Sequence, residues 1–507
     1  MKKTRYQLLT LQSQLHEGSG MDLCSNIYLK NSPKAHTRGL DKAISPEDTL
    51  KNVKSVLKQT KLNLVNETIR IDSRRLDIPV FVCVAGEDCN TPARKFMGKG
   101  HSPDQAEASA LMELIERFSH ANFPRDGSYQ TGKYPDIKGD SIPLDYIFLV
   151  PNKETAIPEE NKHRFTELPF SWVPAYSLVQ RRDFLIPYEW FADIQGTNGL
   201  SAGNTLEETI LQGLCEVVER HVSSLVNSKQ KTVPTIDLFT VKDPVARELI
   251  SKYLMNGIKL IVKDFSLNTG IPTLAGIAFD PSTYPDSEIV FCAGTATNPE
   301  KALIRVLTEI QQMAVDYFRQ DYYVGGILPK FTRIDEARYL LKHHDMVPID
   351  SLPDISADDI TVEIENCTKA LSTIGFEPLV VNITHPTLGI PSVFVILPGA
   401  ELYENTSRYL NTCYFLARRF QHLGRFQTAI EWYQRSISEH PSSSCHSYLQ
   451  IAHCYKYLER YQEAIDNYRI CFRYGPDRAM QYEIYDSWQK CHQLLKTRAR
   501  RGQVRAS

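Results

Sequence analysis

Two stretches of this 507-residue chain carry the same glutamate-bearing pattern, and a third carries a weaker version of it. The first is Ser109-x3-Glu113-x2-Glu116-Arg117, the second Gln212-x3-Glu216-x2-Glu219-Arg220, the third Arg305-x3-Glu309-x2-Gln312. Residues at i, i+4 and i+7 share one stripe of an α-helix. Beside that stripe runs an apolar one, made by Ala108, Leu111, Met112, Ile115 and Phe118 in the first copy and by Ile210, Leu214, Val217 and Val218 in the second. Taken singly, Glu-x-x-Glu-Arg is a solvated helix face laced with salt bridges. Repetition changes the reading, because such a face need not repeat a polar residue one turn earlier and a glycine upstream. If the two strong copies face each other, Glu113, Glu116, Glu216 and Glu219 converge, and clustered like charges are unfavourable until a cation neutralises them. An all-oxygen ligand set without His or Cys fits Mg²⁺, which bridges carboxylates to phosphate oxygens.

The approach to each helix repeats as well. Gly98-Lys99-Gly100, Gly203 and Gly294 end extended runs, and Ser102 with Gln105 and Thr205 with Glu208 read as capping boxes. Pro103 and Pro299 suit a first helical turn. Helix starts of this kind direct backbone N–H groups at an anion, and Lys99 and Arg305 add positive charge. No GxxxxGK[ST] or protein-kinase signature occurs, so a nucleotide site here is of a separate kind.

The elements that must hold these residues come from a chain long enough for two to four domains. Ile78–Ala85, Ile258–Asp264, Ile289–Cys292, Leu379–Ile383 and Ser392–Leu397 read as buried strands between amphipathic helices, which argues for an α/β or α+β core. Residues 1–70 form a lead segment ending in a helix capped at Ser45, and 71–402 the core. Within the core, 125–170 and about 329–360 read as polar surface excursions. From 403 to 497 the texture is helical: Leu423–Ile430 recurs as Leu458–Ile465 and Pro441 as Pro476, an offset of 35 close to the tetratricopeptide period. Residues 478–497 supply a capping helix, and the stack, expected to have its own core, presents a groove to a protein or peptide. Residues 498–507 are a basic, solvated tail. The net charge of −2 gives no global attraction to nucleic acid or to a membrane surface, and no run reaches the ~20 apolar residues of a membrane span. Eleven cysteines without CxxC spacing point to free thiols in the reducing cytoplasm.

These motifs resemble the YcaO family. Ser109-x3-Glu113-x2-Glu116-Arg117 is similar to its first ATP motif, Glu216-x-x-Glu219 to its second, Thr197–Thr205 to its Asn-Gly-containing lead-in, and Leu307–Gln312 to its third. The resemblance covers roughly residues 30 to 400. It implies ATP and Mg²⁺ as cofactors, with Glu113, Glu116, Glu216 and Glu219 on the metal. Lys99, Ser109, Arg117, Gln212, Arg305, Glu309 and Gln312 would lie around nucleotide, phosphate or metal. No catalytic base is read from the chain. The family's third motif has an arginine at a position that looks like Ala314 here, with Arg319 as the nearest substitute.

The resemblance also implies a reaction. A nucleophile attacks a peptide backbone amide, ATP phosphorylates the amide oxygen, and phosphate leaves. Azoline-forming members often end in a PxPxP tail, and this chain ends Gly502–Ser507 without one. Members with tetratricopeptide-like C-terminal helices resemble the bacterial YcaO protein linked to β-methylthiolation of ribosomal protein S12. The expected activity is therefore thioamide formation on a peptide or protein substrate, with a sulfur-delivery protein as partner. The competing readings are an accessory factor for S12 methylthiolation, an azoline-forming cyclodehydratase, and a non-catalytic repeat scaffold.

Overall fold

The computed structural model describes residues 23–72, 75–126, 129–149, 157–283, 289–314, 331, 334–342, 345–402, 411–476 and 478–506. An extended lead precedes α1 (Pro46–Thr60) and the meander β1 (Val65–Arg70), β2 (Val80–Ala85) and β3 (Lys95–Lys99), against which α2 (Pro103–Asp126) packs. Next come β4 (Gln130–Gly132), α3 (Leu144–Ile147), α4 (Glu159–Thr166), the hairpin β5 (Phe170–Ser177) and β6 (Arg182–Pro187), then α5 (Tyr188–Gln195), β7 (Leu200–Ala202) and α6 (Leu206–Ser228). A second group follows: β8 (Thr235–Asp237), α7 (Pro244–Met255), β9 (Lys259–Asp264), β10 (Thr273–Phe279), β11 (Val290–Thr295), α8 (Pro299–Ala314), α9 (Arg338–Leu341) and β12 (Met346–Pro348). The core closes with α10 (Ile360–Thr373), β13 (Leu379–Asn382) and β14 (Ser392–Ile396). Five helices end the chain: α11 (Thr412–His422), α12 (Phe426–Glu439), α13 (Ser444–Tyr457), α14 (Tyr461–Arg473) and α15 (Arg478–Ala506).

The strands make three sheets, ordered β1-β2-β3, β11-β10-β9-β8-β12 and β4-β5-β13-β14-β7, with β6 paired to β5. Among the described strands, pairing is antiparallel except between β12 and β8, so among the two classes expected the core is α+β. All five expected strands form, to within two residues at most ends. Helix α2 touches β2, β3, β7 and β14, α6 touches β7, β14, β10 and β11, and α8 touches β10, β11 and β3. The three patterned helices thus share the space between the sheets.

The upstream glycines follow from this packing. A Cβ on Gly98 would stand 2.1 Å from the Ala106 carbonyl oxygen and 2.2 Å from the Ala110 nitrogen, so α2 lies on β3 only because that side chain is missing. Gly294 on β11 plays the same part beneath α8, where a Cβ would meet the Ala302 oxygen at 2.9 Å.

Several expectations change. The lead is woven into the core: Pro33 bridges to Asp359, the Ser32 amide donates to the Asp359 carboxylate at 2.9 Å, and β1 is a sheet strand. The stretch 125–170 buries Ile142, Ile147, Phe148, Phe165, Leu168 and Phe170 in one cluster with Trp172 and Trp190, because its apolar residues are spaced too irregularly to show as an element. Part of 329–360 forms β12, on the edge of the second sheet. The basic stretch continues α15 through Ala506, as a run rich in the helix formers Lys, Arg, Gln and Ala allows. The boundary expected at 402/403 adjoins residues 403–410, which lie outside the described residues.

The helical repeats do not stand alone. Cys413, Phe415, Leu416, Phe420, Ile430, Tyr433, Ile451 and Cys454 share a single apolar cluster with Trp172, Ile186, Trp190 and Phe394 of the core. A separate cluster exists only further along, where Leu449, Ala464, Ile465, Tyr468, Ile484 and Cys491 pack together. Apolar periodicity shows which face of a helix is buried, but not what buries it.

Candidate functional site

Strand β3 ties α2 to α8. The Met97 amide donates to Glu113 at 2.9 Å, Gln312 Nε2 donates to the Met97 carbonyl at 3.3 Å, and Lys99 Nζ contacts Glu309 Oε2. Helix α6 joins through two further bonds. Arg305 donates to Gln212 Oε1 at 2.8 Å, and the Thr295 amide at the end of β11 donates to Glu219 at 3.2 Å. Residues expected around a phosphate from three separate helices are therefore bonded into one lattice. Ser109 is half-buried on α2, one turn before Glu113.

The carboxylates sit in pairs, each pair beside the arginine that follows it in sequence. Arg117 lies 3.3 Å from Glu116 and 3.8 Å from Glu113; Arg220 lies 3.6 Å from Glu219 and 3.8 Å from Glu216. Glu219 is almost wholly buried, and the Glu116 side chain is 14% exposed. Burial pushes the Glu116 carboxyl well above the usual glutamate range, Arg117 opposes the shift, and the charges of Glu216 and Glu113 add to it. The two strong copies therefore feel each other across the gap between α2 and α6. Glu113 is also raised by burial, against Arg117 and the Met97 amide. Burial, and then the charge of Arg305, lower the Lys99 pKa to about 7, although Glu219 pulls the other way.

Among the described residues no three His, Cys, Asp or Glu side chains are gathered into a ready cage for a metal ion. The donor set nevertheless fits Mg²⁺, which keeps several waters and takes one or two carboxylates together with substrate phosphates. Glu116 is an under-compensated buried acid of the kind that a cation stabilises. Arg305 Nε is buried without a hydrogen-bond partner, a spare donor beside Gln212 for an anionic oxygen.

A small, half-open cleft adjoins Gln212 and Arg305, and sequence reasoning missed most of its lining. The lead supplies Asp41 and Lys42, α6 supplies Glu208 and Cys215, the β11–α8 turn supplies Thr297, and α10 supplies Glu363. Glu363 is buried and accepts from Lys34 at 2.7 Å and from Thr297 at 2.5 Å. Burial works against the Lys34 charge, but its bonds to Asp41 and Glu363 more than offset this and raise its pKa. Glu208 corrects one expectation. Thr205 does cap α6 by accepting the Glu208 amide at 3.1 Å, but the Glu208 carboxylate bonds Ala43 N at 2.9 Å and Lys42 at 3.3 Å instead of closing a capping box. Ser102 accepts the Gln105 amide at 3.3 Å, and Gln105 reaches back to the His101 amide at 3.0 Å.

A family profile described as YcaO cyclodehydratase, ATP- and Mg²⁺-binding, matches residues 97–401. The chain belongs to the YcaO family. A tetratricopeptide repeat profile matches residues 446–477. An uncharacterized protein of Methanothermobacter thermautotrophicus is 26% identical over 383 residues, 71% of this chain and 95% of that protein. The Escherichia coli ribosomal protein S12 methylthiotransferase accessory factor YcaO is 26% identical over 242 residues, 42% of this chain and 40% of the factor. Among solved structures, a heterocyclase in complex with substrate and cofactor gives a TM-score of 0.61 at 23% identity, covering 74% of this chain and 54% of that one. YcaO from Methanopyrus kandleri bound with AMPPCP and Mg²⁺ gives 0.56 at 21% identity, covering 73% and 94%. ATP and Mg²⁺ are the cofactors of this YcaO protein, and its family supports ATP-dependent activation of a backbone amide. Ala314, where the family pattern places an arginine, is the last residue of α8 and is buried in the core, and Arg319 lies outside the described residues.

Proposed function

We propose that this YcaO protein activates a peptide or protein backbone amide by O-phosphorylation and replaces the amide oxygen with sulfur, giving a thioamide. The observation that carries the activation step is the lattice joining Lys99, Glu113, Gln212, Glu219, Arg305, Glu309 and Gln312 across β3, β11 and three helices. Glu113, Glu116, Glu216 and Glu219 would hold Mg²⁺. Lys99 and Arg305 would meet phosphate oxygens, and Ser109, Arg117, Glu309 and Gln312 would complete or orient that shell. The cavity between Lys42, Gln212, Thr297 and Glu363 is where the nucleoside would sit. Bound Mg-ATP supplies the phosphoryl group that makes the amide oxygen a leaving group.

Two thiols near the site, Cys215 and Cys292, are poor candidates for the sulfur nucleophile. Burial pushes Cys215, on the cavity wall, and Cys292, beside Lys99, up to about 12, so both stay protonated at neutral pH. Among the described residues, helices α11 to α14 pack on α4, α5, α15 and one another. An external sulfide or a sulfur-carrying protein is then the source, and the repeat helices are the surface for a substrate or carrier. A second reading, an accessory role in ribosomal-protein methylthiolation, is favoured by the partial likeness to the E. coli factor.

Mass spectrometry of the native peptide after incubation with protein, ATP, Mg²⁺ and a sulfur source decides between them. Thioamide formation adds about 16 Da with one phosphate released, whereas a loss of about 18 Da means ring closure by a side chain. ATP turnover with the authentic partner and no change in mass favours the accessory role.

A further inference from the structure

Three sulfur atoms meet at one end of the second repeat. Cys445 lies at the start of α13, Cys471 near the end of α14 and Met480 in the first turn of α15. Adjacent antiparallel helices put the start of one beside the end of the next, and the short return after α14 brings α15 back to the same end. Cys445 Sγ stands 3.6 Å from Cys471 Sγ and 3.6 Å from Met480 Sδ. The offset of 35 from Cys445 to Met480 is the repeat period that relates Ala429 to Ala464, so these two sulfurs hold equivalent positions in successive units. Cys471 is fully buried and donates its thiol to the Cys445 carbonyl at 3.1 Å, while Cys445 is half-buried. None of the three belongs to the nucleotide site.

We infer that Cys445, Cys471 and Met480 form a three-sulfur site for a soft monovalent cation of the copper(I) class. Thiolate and thioether ligands select Cu(I), whereas Mg²⁺ and Ca²⁺ demand oxygen. With metal–sulfur bonds of about 2.3 Å, sulfurs around a trigonal ion stand about 4 Å apart, so the two 3.6 Å edges need open only slightly. Structural zinc is less well served, since it takes four ligands drawn from Cys, His and carboxylate. A disulfide would have to close the thiol pair from 3.6 Å to about 2.05 Å and would leave Met480 with no part to play. On binding, each ligating thiol gives up its proton and forms a metal–sulfur bond, with no change in oxidation state.

The test is an anaerobic titration of the reduced full-length protein with Cu(I) against a chromophoric Cu(I) chelator. One ion should be held by the intact protein and by C24S, the control for the exposed thiol. It should be lost in C445S and C471S, and M480L, which keeps both thiolates, should hold it measurably more weakly. X-ray absorption should show three sulfur neighbours in the intact protein and two in M480L, which keeps the result readable if a cysteine variant misfolds. Failure of the intact protein to hold copper against the chelator overturns the inference. So does unchanged binding in M480L together with an unchanged sulfur count, or loss of the ion in C24S.

Discussion

At Glu116, burial opposes the charge most strongly, Arg117 favours it, and Glu216 and Glu113 add to the opposition. A folded-state pKa above the unfolded one means that the native protein holds the proton more tightly. Stability is then lost as pH rises from the ordinary glutamate range through the raised value. Nucleotide-free protein should therefore melt at lower temperature as pH is raised across that window, and E116Q should flatten the decline. At neutral pH E116Q should gain about 1 kcal/mol of stability while losing its function, a common trade at a strained site. Phosphate release from Mg-ATP should fall by about 100-fold or more in E116Q and in E219Q, the size expected when transition-state charge loses a preorganised partner; unchanged release in both removes the metal assignment. Lys99 gives a second test. With its pKa lowered to about 7, it is mostly neutral at pH 8, and a phosphate chain beside it favours the charged form. Calorimetry in buffers of different ionisation enthalpy should show proton uptake on ATP binding at pH 8, absent in K99M. The glutamates stand out in the sequence because a helix period presents their pattern three times over, and Lys99 because two glycines flank it ahead of the first copy. Lys34, Asp41 and Lys42 do not, since an extended lead has no period, and Glu363 is masked by the cap that Asp359 makes for α10.

Among the elements, α11 is the joint between the repeats and the core. Arg418 pairs with Asp193 of α5 at 2.8 Å, and Arg419 donates to the Pro169 carbonyl at 2.8 Å while lying over the Phe170 ring. Arg418→Ala leaves the largely buried Asp193 without this partner and should cost roughly 3 kcal/mol in chemical denaturation. A chain cut after 402 should aggregate, because Trp172, Trp190 and Phe394 lose the cover of Phe415, Phe420 and Tyr433. A chain cut after Leu458 keeps that cover, and should stay soluble and hydrolyse ATP with a reduced melting temperature; a folded 402 truncation would disprove the shared core. Apolar runs made β9, β13 and β14 readable, but β1 is half-exposed and mostly polar, and β5 contains Pro174. That proline escapes the usual exclusion from inner strands. β4 pairs with residues 170–172 and β13 with 176–177, so on that side Pro174 falls in the gap between two partners.

Across the whole molecule, sequence reading recovered a core of mixed helix and sheet and the repeat helices, while contacts between distant parts of the chain were beyond it. Ser32 meets Asp359, Lys34 meets Glu363, and the cluster around Trp190 is completed by Ile451 and Cys454. No local pattern encodes which of two distant apolar faces will meet. The shared core also has a consequence for how the protein is made. The face of β5, β6 and α5 emerges from the ribosome early, yet part of its covering comes from helices that end at Tyr457. At the usual 5–20 residues per second, that face waits for tens of seconds with aromatic side chains open to any other chain nearby. Yield of soluble protein should therefore rise when translation is cooled or when a chaperone that holds nascent apolar segments is co-expressed, with pulse-labelled nascent chains captured on that chaperone until the last helices appear.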